Sequence, residues 1–145
     1  MSVFGRGAAY PAFRHPLFYY ALVHEIAALT DFGRIPASAW LLDRKDAVGR
    51  VLREAVGPAM RSGQIDLLAE LVLGNHMLGL APAEELCAAI DYLLARQRSD
   101  GSWGEQATPR SNRSRHAAQT ATAALLAYRN SPAAVTGRSK RVCSP

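Results

Sequence analysis

The chain lacks any apolar run approaching the roughly 18 residues that a membrane-spanning helix needs, which excludes a helical membrane span. Cysteine is scarce: Cys87 and Cys143 are the two present, and no Cys-x-x-Cys spacing occurs. Met1 to Pro16 carries Arg6 and Arg14 but no continuous apolar stretch of the kind a secretory signal uses. The expectation is a cytoplasmic protein with reduced thiols. Alternation of apolar and polar residues is absent and the β-branched residues are scattered, so no strand is expected. Acidic side chains are too few to balance the basic ones, and the net charge is +5. The placement of that charge argues against a nucleic-acid partner. Arg138, Lys140 and Arg141 lie in the last fifteen residues, which hold no acid, and Arg110, Arg113 and Arg115 share one loop. No basic stripe interleaved with aromatics marks any helix.

What is present fits one globular domain. The chain has 145 residues, 49% apolar and 20% charged, enough for a core of its own. Arginine outnumbers lysine by 15 to 2 and alanine is abundant, the bias of a GC-rich bacterial coding sequence. Residues 1–15 are aperiodic and read as an N-terminal arm. Pro16 opens a helix to about Thr30 with Leu22, Ile26 and Leu29 on its apolar face, and Gly33 reads as its C-cap. A second helix starts near Pro36 and Ser38, carries Trp40, Leu41, Val48, Leu52 and Val56, and should kink or end at Gly57-Pro58. Gln64 to Leu80 has the cleanest helical pattern and closes at Gly79. Pro82 to Glu85 starts the next helix, with Leu86, Ile90, Leu93 and Leu94 facing the core up to Gln97. After a loop from Asp100 to Arg113, Ser114 is placed to cap a last helix running from His116 to Arg129. The helical domain thus covers 16–130, and 131–145 reads as a disordered basic tail. The fold expected is all-α, built of antiparallel helical hairpins.

The segment Gln97-Arg98-Ser99-Asp100-Gly101-Ser102-Trp103-Gly104, placed between two helices, resembles the QW repeat of the α/α-toroid superfamily, which contains terpenoid cyclases and protein prenyltransferases. The resemblance covers roughly residues 84 to 128. It implies a partial α/α toroid, because 145 residues supply about half of the hairpins that close a ring. In such a joint Gly101 permits a turn, Asp100 binds nearby amides, and Gln97 and Trp103 tie the turn to a helix end. The motif is structural and points to no reaction. Tyr20-x-x-x-His24 followed by Thr30-Asp31-Phe32-Gly33 also looks like a stretch found in uncharacterised actinobacterial helical-repeat proteins.

The catalytic signatures of that superfamily are absent. Neither the Asp-x-Asp-Asp acid cluster nor the Asp-Asp-x-x-Asp magnesium motif occurs, and Cys87 with His116 lacks the context of the prenyltransferase zinc set. The acids read as solitary: Asp43 and Asp46 sit on a charged helix face, and Glu84-Glu85 opens a helix. Histidine supplies the remaining candidates. His24, His76 and His116 fall on alternate helices, so they are candidates for a metal site if those helices line one cavity, although their positions along the helices place them at different heights. His24 and Asp31, seven residues apart, are candidates for a carboxylate-oriented base. The expected function is a non-catalytic binding or assembly domain related to α/α-toroid proteins, accessory to bacterial secondary metabolism. The alternatives are a small enzyme, or part of one, acting on an apolar isoprenoid-like substrate, and a structural fragment of a longer toroid. No cofactor is expected. An open arc would leave apolar faces at its ends, Phe18, Leu22, Ile26 and Leu29 on the first helix and Ala118, Leu125 and Leu126 on the last, so a homodimer or a protein partner is expected. An apolar small molecule is the ligand class that fits the family likeness.

Overall fold

The structure is a computed structural model that describes residues 15–36, 41, 43–81, 83–103 and 112–129, the side chains of 112–114 excepted. These residues form helices α1 (Pro16–Leu29), α2 (Lys45–Glu54), α3 (Val56–Arg61), α4 (Ile65–Met77), α5 (Glu84–Ala95) and α6 (Asn112–Arg129), with no strand among them. The all-α expectation holds. The arm at 1–14, the tail from 130 onward, Ser38, Trp40 and Pro82 lie outside the described residues.

α4 sits at the centre. It packs against α1 and α6 on its two broadest contacts and also touches α2, α3 and α5. Its sequence, Ile-Asp-Leu-Leu-Ala-Glu-Leu-Val-Leu-Gly-Asn-His-Met, is apolar nearly all round, as a helix enclosed by others must be. Leu67, Leu68, Leu71 and Val72 are buried there. Around them lie Leu22 and Ile26 of α1, Leu52 of α2, Val56 and Ala59 of α3, Leu93 of α5, and Ala121 and Ala124 of α6. Gly74 lets two neighbours approach: a Cβ there would stand 2.9 Å from a Leu52 methyl and 3.1 Å from a Val23 methyl. Buried Asn75 spends its amide inside the fold, donating to the Leu71 carbonyl (2.9 Å) and accepting from Arg53 (3.3 Å).

Several helix ends follow the sequence and several depart from it. Pro16 occupies the first turn of α1, and the His15 ring accepts the Leu17 amide as cap. α4 ends in a Schellman turn: Gly79, at φ +66°, donates to His76, and Leu80 donates to Asn75. α1 behaves differently from expectation. Thr30 is the cap, its hydroxyl bonding the Ile26 carbonyl and receiving the Gly33 amide. The left-handed turn already begins at Asp31 (φ 45°) and Phe32 (φ 55°), before Gly33. The break between α2 and α3 falls at Ala55, not at Gly57-Pro58. A proline is compatible only with the first turn of a helix, so the helix restarts just upstream and places Pro58 where its missing N–H is not needed. α6 begins at Asn112, ahead of Ser114, and so takes Arg113 and Arg115 out of the expected loop and into its first turn. The alanine-rich run carries the helix through this stretch.

The core differs from expectation at two places. Leu94 is 52% exposed, because Leu86, Ile90 and Leu93 already form the stripe that faces inward. Leu22 and Ile26 are buried, and Phe18, Leu29, Ala118 and Leu125 are partly buried against the core, so of the expected open ends Leu126 alone is strongly exposed.

The motif after α5 forms a compact turn. Trp103 is 3% exposed, and its indole N–H donates to the Leu93 carbonyl at 2.7 Å. It thus fills one of the acceptor positions that the last turn of a helix leaves open. That helix is the one just completed, α5. Gln97 donates to the Gly101 carbonyl (3.1 Å), not to a helix end. Asp100 accepts from the Ser102 amide (2.9 Å) and hydroxyl (2.6 Å); the hydroxyl bond first, then the amide, holds this carboxyl below the usual range. Gly101 takes φ +81°, which the turn requires.

Candidate functional site

A cavity of about 480 Å³ opens between α1, α4 and α6. Its walls are largely apolar: Val23 and Ala27 from α1, Leu73 and Met77 from α4, Ala123 and Ala127 from α6. Phe32 stands at its rim, 75% exposed and in the left-handed region that bulky residues rarely adopt. The polar side chains are His24, Glu70, His76, His116, Gln119 and Thr120.

All three sequence-selected histidines line this one cavity. They line it at different heights, and among the described residues His24 and His76 do not join His116 in a group of metal-type ligand atoms. They are not equivalent within it. His24 donates from Nδ1 to the Tyr20 carbonyl at 2.6 Å, which fixes the ring and leaves Nε2 for other work. His116 donates from Nδ1 to Asp66 Oδ1 at 2.8 Å. His76 sits in the last turn of α4 and is exposed. Asp31 does not line the cavity. It is exposed and faces Arg34 at 3.7 Å.

Two acids that read as solitary in the sequence prove central. Asp66 and Glu70 are four residues apart on α4, hence on one face. Asp66 accepts three hydrogen bonds, from Tyr20 of α1 (3.0 Å), and from Thr120 (2.8 Å) and His116 (2.8 Å) of α6. It therefore ties together the three helices that enclose the cavity. Glu70 is 6% exposed, and among the described residues no donor reaches its carboxylate. Burial raises its pKa above the ordinary value; His24 opposes the rise, Asp66 adds to it, and His116 opposes it more weakly. Ligand-type atoms of Asp66, Glu70 and His116 all lie within 4.8 Å of one another. The sequence shows Asp66 and Glu70 at the spacing that puts them on one face of a largely apolar helix, but not what stands opposite them.

Cys87 on α5 is buried, with its sulfur 3.6 Å from the Tyr128 hydroxyl, and it is not a free thiol, against the expectation of reduced cysteines. No described helix is long and apolar enough to cross a membrane.

The described residues form an all-helical domain with a cavity of mixed polar and apolar lining. The chain belongs to the DUF6895 family, a domain of unknown function, which it matches over residues 15–136. No curated protein and no solved structure matches it.

Proposed function

We propose that this domain is a non-catalytic binding domain that receives an apolar small molecule of isoprenoid type between α1, α4 and α6. The observation that carries this reading is the cavity itself. At about 480 Å³ it falls in the range of small-molecule pockets, and it combines apolar walls with a few convergent polar groups. The Glu70 carboxylate in its wall, with Asp66 close behind it, favours a neutral or cationic head group over a bare diphosphate. The proposed role is accessory to bacterial secondary metabolism. The relation to α/α-toroid proteins is supported by the turn at Gln97, Asp100, Gly101 and Trp103, where the indole closes a helix end. A homodimer or a protein partner belongs to the same reading, with the exposed apolar residue Leu126 as contact. Light scattering that returns the monomer mass for the intact chain would remove the homodimer.

A specific observation favours a second reading, a small enzyme acting on an apolar substrate. Asp66 orients His116 through Nδ1 inside the cavity, the arrangement that readies Nε2 as a general base. Native mass spectrometry of the intact chain with prenyl alcohols and prenyl diphosphates separates the two. The binding reading expects one unchanged alcohol retained per chain. Conversion of the ligand, lost in His116→Gln, would establish the enzyme. The third reading, a structural piece of a longer toroid, expects neither retention nor conversion.

A further inference from the structure

Glu70 lines the cavity between α1, α4 and α6, and two carboxylates and an imidazole meet at and beside it. Glu70 is buried in the central helix without a hydrogen-bond donor among the described residues. Asp66 lies one turn away on the same face, and like charges at that spacing repel. A buried carboxylate without a partner is costly, and such groups are retained where a cation or a metal offsets them. His116, brought in by α6, adds an imidazole to the two carboxylates, with the ligand-type atoms of all three within 4.8 Å of one another.

We propose that Asp66, Glu70 and His116 form a binding site for a divalent transition-metal ion of the zinc type. The donor set decides the class. Magnesium and calcium favour oxygen-only sites, whereas an imidazole with two carboxylates suits zinc and its first-row neighbours. The surroundings are those of a built site. Tyr20 and Thr120 hold the Asp66 carboxylate from α1 and α6, as outer residues orient metal-binding carboxylates. Three protein ligands leave a coordination position for water or for the head group of a ligand lying along the cavity. The ion site goes beyond the proposed binding function and does not depend on it, since the ion is taken up with or without an apolar ligand.

The test uses the intact, untagged chain after dialysis against a chelator. Zinc alone is titrated in by calorimetry. One ion per chain is expected, with Glu70→Gln and His116→Gln each weakening binding by about tenfold or more and His15→Gln leaving it unchanged. Far-UV circular dichroism confirms that each variant is folded. A second readout needs no variant. In histidine-ring NMR spectra of the wild-type chain, the His116 ring resonances are expected to shift on zinc addition while those of His15 stay in place. Absence of binding up to about 1 mM zinc, the limit of the weakest specific sites, would overturn the proposal. Unchanged His116 resonances, or binding that survives both cluster substitutions, would do the same. Because no apolar ligand is present, a failure here leaves the cavity reading untouched. Failure of alcohol retention in turn leaves the ion site standing.

Discussion

At the scale of single residues, Glu70 is the most informative side chain. Its pKa is raised above the ordinary value near 4.5, chiefly by burial, so the folded state holds its proton more tightly than the unfolded chain does. The stability associated with that proton is fully present below pH 4.5 and is lost as pH rises through the folded-state value. In metal-free protein, Glu70→Gln removes the penalty. The variant should therefore match the wild type near pH 4 and exceed its stability at pH 7, as read by urea denaturation at both values. Equal stability at pH 7 would show that the carboxylate is compensated in the metal-free fold. Added zinc should narrow or reverse the difference at pH 7, because it stabilises the chain that binds it more tightly by the larger amount.

Trp103 is the second residue with a clear expectation. Its ring is buried and its N–H is bonded to the end of α5. Trp103→Ala should lower stability by about 3–5 kcal/mol, the range for deleting a buried aromatic. A loss under about 0.5 kcal/mol by chemical denaturation, the scale of neutral surface changes, would contradict that burial. The burial of Trp103 and the turn at Gly101 were legible in the sequence, because a tryptophan beside Asp-Gly has few other uses. The bonding of Gln97 was not, because a side-chain amide serves a nearby loop carbonyl as well as a helix end. Glu70 was hidden for a related reason. An acid in an apolar helix gives no local sign of whether its neighbours will pair it or leave it alone.

At the scale of elements, periodicity placed the helices and proline placed one break only approximately. α1 and α4 were legible because each carries an apolar pattern bounded by recognisable ends: Pro16 for α1, Gly79 for α4. The interruption at Ala55 was not, because the sequence marks the proline and not the upstream residue where the helix must restart. The end of α1 was misplaced for another reason. Thr30 closes the helix with its own hydroxyl, so the chain turns left-handed at Asp31, a residue that tolerates this, before reaching Gly33. The central position of α4 yields a prediction of its own. At Gly74 the helix meets Leu52 and the stiff, branched Val23. Gly74→Val should cost about 1–3 kcal/mol, the range for forcing extra groups into a packed interior. Thermal unfolding at or above the wild-type midpoint would show that α1 and α2 are not held tightly against α4.

At the scale of the whole molecule, the cavity results from three helices sharing one polar anchor. Asp66 receives Tyr20 from α1 and Thr120 and His116 from α6, which fixes both helices against α4 beside the open volume. A shared cavity for the three histidines was open in the sequence only on condition that their helices line it, and α1, α4 and α6 do. The partner of His116 was not legible there, since pairing with Asp66 across 50 residues depends on packing that no local pattern encodes. The same packing explains why the apolar face of α1 is buried within the chain and not left at an open end.

The central claim is that this cavity receives an apolar ligand, and Ala123 gives direct access to it. This residue lines the cavity from α6 and is itself exposed, so Ala123→Phe fills the volume without disturbing the core. The deciding measurement is a fluorescence titration of both chains with a dansyl-labelled prenyl alcohol. The account predicts saturable one-to-one binding to the wild type and a loss of about tenfold or more in Ala123→Phe, with unchanged circular dichroism. Equal binding by the two chains, or no saturable binding by either, would contradict it.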